Sequence, residues 1–136
     1  MSVALCVGRK RYEIGSASFL KSFFSTIFVL LEHEDWGSLY PAIMNGLYSG
    51  RLEPGLLKEA LLELAQIRRS LAAIPPSQVV WDFEDLTAHP PWGSEISDEI
   101  QSLADYFVTS DGANLLDVLA GAIETASQSG SAVGIQ

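Results

Sequence analysis

Asp82, Glu84, Asp85 and His89 stand close together in the chain, and Glu32, His33, Glu34 and Asp35 form a second cluster of acids around a histidine. Along a strand, whose side chains alternate with a period of two, Asp82 and Glu84 would share one face about 7 Å apart. That is a spacing at which paired carboxylates can divide acid and base roles, and His89 follows closely. Carboxylate oxygens of this kind also suit Mg²⁺ or Ca²⁺. A small acid–base or metal-dependent hydrolase using Asp82, Glu84 and His89 is therefore one reading. Neither signal is specific. The chain has no metal-type Cys/His spacing, no nucleophile elbow, no glycine-rich phosphate loop and no HExxH motif. A lone histidine in an acidic loop is more often solvated or hydrogen-bonded than catalytic, so the expectation is no enzyme, no catalytic residue, no cofactor and no metal ligand.

The same acids point more strongly to binding. The formal net charge of the 136 residues is −9. All eight basic residues lie at or before Arg69, whereas Ser70 to Gln136 contains ten acids and no base. Such a field opposes nucleic acid and anionic membrane, and it attracts cations and basic proteins. Asp82, Glu84, Asp85, Glu95, Asp98 and Glu99, joined by Asp105 and Asp111, form the candidate contact set, with Trp92 as its aromatic anchor. Each has a structural alternative. Asp82 or Asp85 can cap a turn or pair with Arg9 or Arg11, and Asp98 and Glu99 suit the first turn of a helix. Trp81 suits the core, and Trp36 and Trp92 suit either a surface or a fold-back over a sheet edge.

The elements that must position these residues follow from periodicity. Val3–Val7 and Tyr12–Ile14 flank a basic turn and predict a hairpin. Phe19, Leu20, Phe23, Phe24, Ile27, Phe28 and Leu31 recur at helical period, with Lys21, Ser22, Ser25 and Thr26 opposite. A second helix runs from Ser38 to about Ser49, and a third from Pro54 until Pro75-Pro76 stops it. Val79, Val80, Trp81 and Phe83 predict a strand, left at Asp85 for a rigid Pro90-Pro91 corner. A short helix follows Ser97, and a last one carries Leu115, Leu116, Leu119, Ile123 and Ala126. Residues 127–136 are expected to fray. The sum is one α+β domain over residues 1–126, a small antiparallel sheet (the N-terminal hairpin plus a strand near 79–84) covered by four to five helices. Cys6 is a single cysteine, which fits a reducing compartment. No signal peptide is evident, and the apolar run from Phe19 to Leu31 falls short of the roughly 20 residues a bilayer requires, so the expected location is cytoplasmic.

The segments VALCVG, YEIGSASFLKSFFSTI, WGSLYPAIMNGLYSG, VVWDFEDLTAHPPWG and ADYFVTSDG, in this order and spacing, resemble the immunity protein 70 family of bacterial polymorphic-toxin systems. The resemblance covers Met1 to about Ile123. It implies a protein that binds and neutralises a toxin domain encoded beside it, without catalysis or cofactor. Joined to the charge, which calls for a cationic partner, the resemblance implies a basic nuclease-type toxin whose phosphate-binding cleft an acidic face can occupy. A structural homodimer is the third reading, marked by burial of Trp36 and Trp92; oligomeric state is not legible.

Overall fold

The computed structural model describes residues 2–33, 35–91 and 96–136. Trp92 and Glu95, two of the expected contact residues, and Glu34 of the second acidic cluster lie outside the described residues.

The N-terminal hairpin forms as its alternation requires. β1 (Ser2–Val7) pairs antiparallel with β2 (Lys10–Ser16), and Gly8 makes the turn at φ +58°, a conformation that favours a residue without Cβ. Ser16 then caps α1 (Ala17–Ile27), its Oγ accepting the Phe19 N–H at 3.0 Å. The phenylalanine stripe turns inward: Phe19 and Phe23 meet Phe107 at centroid distances of 5.9 and 5.4 Å, in tilted and edge-on contacts. Burial of each such ring contributes roughly 1.5–3 kcal/mol, which is what holds the helix. A π-helical turn, Phe28–Glu32, continues α1, and a second π-helix, Ala42–Leu47, lies where the sequence predicts a helix from Ser38.

Beyond the two-residue β3 (Arg51–Leu52), Pro54 opens a 3-10 turn that runs into α2 (Leu57–Leu71). A one-turn α3 (Leu103–Tyr106) precedes α4 (Leu115–Ser129), which is capped by Asn114 and ended by Gly130 at φ +68°. α2 and α4 pack against one another, and α4 lies on the hairpin, where Tyr12 Oη and Thr125 Oγ1 are 2.9 Å apart.

Two expectations are corrected. Residues 127–136 do not fray. α4 continues to Ser129, and β4 (Val133–Ile135) enters the sheet between β1 and β3, giving the order β2-β1-β4-β3 with antiparallel pairs throughout. Three residues suffice because both neighbours use them: Ala4 and Gln136 exchange N–H···O bonds at 2.9 Å, and Ile135 N–H reaches the Gly50 carbonyl at 2.9 Å. Val133 is fully buried. The antiparallel sheet under helices is as expected, but its third and fourth strands are β3 and β4, not the segment near 79–84.

That segment is not a strand: the chain bends at Trp81 and turns at Phe83, and its hydrogen-bonding partner is a helix. Ser22, Ser25 and Thr26 are fully buried on the face of α1 that their polarity marks for solvent. Ser22 Oγ donates to the Val80 carbonyl at 2.8 Å, Thr26 Oγ1 accepts the Val80 N–H at 3.1 Å, and Ser25 Oγ accepts the Phe83 N–H at 3.0 Å. Hydroxyls supply here the donors and acceptors that a neighbouring strand would otherwise offer. Residues 79–83 form a strap across α1.

Candidate functional site

The strap ends in two successive turns, each built on one of the expected acids. Asp82 Oδ1 accepts the Glu84 N–H at 2.9 Å, and Asp85 Oδ1 accepts the Thr87 N–H at 3.1 Å and its hydroxyl at 2.5 Å. These are Asx-type turns, in which a short side chain replaces the backbone acceptor of a turn. The bonds from Thr87 hold the Asp85 carboxyl below its ordinary pKa. It is therefore ionised at neutral pH.

The pair proposed for acid–base chemistry is brought together, but on a cation. Lys21 Nζ lies 3.3 Å from Asp82 Oδ1 and 2.6 Å from Glu84 Oε1. Its pKa is raised, first by the hydrogen bond to Glu84 and also by Asp82. The sequence suggests Arg9 or Arg11 as a partner for Asp82. The hairpin tip instead keeps Arg11 on Glu13 at 2.7 Å, and Lys21, one turn from Ser25 on α1, reaches the strap. The strap and the turns that follow it thus carry three carboxylates, Asp82, Glu84 and Asp85, the first two of them held on the Lys21 ammonium of α1.

The other described acids of the set are unlike these. Asp98, Glu99, Asp105 and Asp111 are all exposed, and among the described residues none of them forms an ion pair. The Glu99 backbone N–H donates locally to Ser97 Oγ at 3.3 Å. They sit on segments that surround one groove of about 370 Å³: Ser97 and Ile100 line it beside Asp98 and Glu99, Tyr106 beside Asp105, and Ser110 beside Asp111. The floor comes from the end of β2 and the start of α1, including Ile14 and Phe19. Ser110 is fixed there by an N–H bond to the Ile14 carbonyl at 3.0 Å. A second groove, of about 720 Å³, lies along the strap and is lined by Val79, Val80, Trp81, Leu86, Ala88, His89 and Pro90 among others. Ile96 and Tyr106 line both, so the grooves adjoin.

His89 is exposed on the wall of the second groove, away from the Asp82–Glu84–Lys21 cluster in hydrogen-bonding terms. Trp81 is half-buried and packs against the core, as its type suggests. Trp36 is structural. Its Nε1–H donates to the Met44 carbonyl at 2.7 Å, and its ring contacts Phe28, Tyr48 and Phe83 with centroids 4.7–5.0 Å away.

The acidic loop at Glu32 divides similarly. Glu32 is buried, and its carboxylate accepts the N–H groups of Gly37, Leu39 and Tyr40 at 2.9–3.0 Å. Glu63 of α2, also buried, accepts those of Ala42 and Ile43 at 3.1 and 2.9 Å. Burial raises the Glu63 pKa, and the two backbone bonds oppose that shift. Neither acid is available to a partner; together they hold residues 37–43 and satisfy the start of the second π-helix. Glu63 was legible as an anomaly, since it lies within the apolar stripe of Ala60, Leu64 and Ile67.

Among the described residues, no group of three or more His, Cys, Asp or Glu side chains is arranged to hold a metal ion, and no helix is long and apolar enough to cross a membrane. The family model for Immunity protein 70 matches residues 5–135. Comparison with curated proteins and with solved structures yields no significant match.

Proposed function

The chain belongs to the immunity protein 70 family, a family of non-catalytic proteins that bind and neutralise a toxin, and from that premise we propose that it meets a basic, nuclease-type toxin domain through the acids around its two adjoining grooves. The toxin is encoded nearby and is bound as a protein, with no nucleic acid or membrane involved. Asp98, Glu99, Asp105 and Asp111 make the first contact, joined by Asp85 in the turn that follows the strap; Trp92 and Glu95 belong to the same stretch of sequence. Asp82 and Glu84 contribute less, because Lys21 offsets them.

One observation carries this reading: four exposed carboxylates without a cationic partner among the described residues, on segments that line a single groove, in a half-chain that has no lysine or arginine. An inhibitor gains from such a field in speed. Opposed charges raise association to about 10⁸–10⁹ M⁻¹s⁻¹ at low salt, against about 10⁵–10⁶ for a neutral pair. A cleft shaped to hold phosphates also presents the donors that carboxylates satisfy.

The test is association kinetics with the toxin domain of the adjoining gene in an inactive form, across an ionic-strength series. The rate constant should fall steeply with salt, and Asp98→Lys with Glu99→Lys and Asp111→Lys should lower it at least about tenfold at low salt while the fold is unchanged. Glu84 is unsuited to reversal, since Glu84→Lys would also break the Lys21 contact. Association indifferent to salt and to the triple reversal would refute the electrostatic reading.

A further inference from the structure

Charge alone does not select a partner. An acidic face attracts many basic surfaces, including those of ordinary nucleic-acid-binding proteins, so recognition requires a contact that most of them lack. The groove along the strap has the chemistry for one. Its volume of about 720 Å³ is within the range of small-ligand pockets. Val79, Trp81, Ala88 and Pro90 give it apolar walls. Leu86, on its edge, is 69% exposed, although a leucine in the turn between Asp85 and Ala88 has no local reason to face water.

Resting on the electrostatic reading above, we infer that this groove receives a bulky apolar side chain projecting from the toxin's basic surface, so that the partner is identified by an apolar plug set inside an acidic frame. Charge complementarity argues for this occupant. Asp85 directly precedes Leu86 at the rim, and the shared residues Ile96 and Tyr106 join the groove to the one flanked by Asp98, Glu99, Asp105 and Asp111. A protein drawn in by those carboxylates has its cationic side chains on the rim and the adjacent apolar groove beneath it. The walls are fixed beforehand. Val80 is tied to Ser22 and Thr26, and Ala88 N–H bonds to the Asp85 carbonyl at 3.0 Å, so little ordering cost attaches to filling the space.

The test separates this contact from the charge. Ala88→Trp fills the groove, and Leu86→Asn makes its edge polar without changing the charge, on a side chain that already faces solvent. With the inactive toxin domain of the adjoining gene, both variants should dissociate about tenfold faster or more, with the association rate and its salt dependence retained. The Asp98, Glu99 and Asp111 reversals should do the opposite. If Leu86→Asn and Ala88→Trp bind as the unaltered protein does while the reversals slow association, the groove is not occupied and the inference falls, leaving the electrostatic reading intact. If salt and the reversals have no effect but both groove variants weaken the complex, the groove stands and the electrostatic reading falls. Sedimentation of the protein alone supplies a third outcome: a dimer that Ala88→Trp dissociates would assign the groove to a second copy and overturn the inference. Should Ala88→Trp fail to fold by circular dichroism, Leu86→Asn alone decides.

Discussion

Replacing Thr26 by valine removes one oxygen and keeps the shape, and it tests whether a helix face holds the strap. Thr26 Oγ1 lies 3.1 Å from both the N–H and the carbonyl of Val80, and Ser22 Oγ reaches the same carbonyl at 2.8 Å. In Thr26→Val the carbonyl keeps Ser22, but the Val80 N–H loses its acceptor at a site where Thr26 is fully buried. An unsatisfied buried donor costs about 1–3 kcal/mol, whereas Ser22→Ala, which leaves each Val80 group one partner, should cost about 1 kcal/mol. For a chain of 136 residues, a loss of about 2 kcal/mol lowers Tm by about 6–8 °C. Thermal unfolding gives the magnitude, and amide hydrogen exchange gives the place: the Val80 amide should lose protection while those of α4 change only with global stability. A Thr26→Val protein that melts within about 1 °C of the unaltered one, with Val80 still protected, would mean that α1 does not hold this segment.

Two further substitutions test the remaining clamps. Glu63→Gln replaces one of two acceptor oxygens by a donor, orphaning either the Ala42 or the Ile43 N–H, and should cost about 1–3 kcal/mol at neutral pH in urea denaturation. Because burial raises the Glu63 pKa, the folded state holds a proton that the unfolded chain has released. Between the ordinary carboxylate range and that raised value, this group makes the protein more stable as pH falls, so the gap between it and Glu63→Gln should widen on acidification through that window. A gap that narrows there would contradict the assignment. Asn114→Ala removes a cap whose Oδ1 accepts the Leu116 and Asp117 N–H groups and whose Nδ2 donates to the Ala104 carbonyl at 2.8 Å. A loss of about 1–2 kcal/mol is expected, read from the same denaturation curves.

How far the sequence was legible depended on whether an element's partner could be inferred along with its conformation. The Phe19 to Phe28 stripe needs only a core to face, and Leu115 to Ala126 likewise, so both helices are readable. For Val79 to Phe83, alternating β-branched and aromatic residues mark a segment between two unlike environments, although the chain bends at Trp81 and turns at Phe83 instead of running as a strand. They do not say what receives its hydrogen bonds. Ser22, Ser25 and Thr26 were legible as a polar stripe, and a polar stripe reads as solvent-facing unless another chain segment is known to lie on it. The opposite error occurred at residues 127–136, where Ser, Gln, Gly and Ala outnumber Val133 and Ile135 and suggest little to bury; a strand flanked on both sides needs few residues. At the candidate site, the exposed acids Asp98, Glu99, Asp105 and Asp111 could be found from charge alone, whereas the occupation of Asp82 and Glu84 by Lys21 required contacts 61 and 63 residues apart in the chain.

The place of β4 also sets an order of events. Leu5 pairs with Ile135, and Arg51 reaches the sheet only through Gly134. A chain emerging from the ribosome can close its first hairpin early, yet it cannot join that hairpin to β3 until Val133–Ile135 has been synthesised. Completion of this sheet therefore waits for β4, and a pause in synthesis before Val133 would leave the hairpin's open edge without its neighbour.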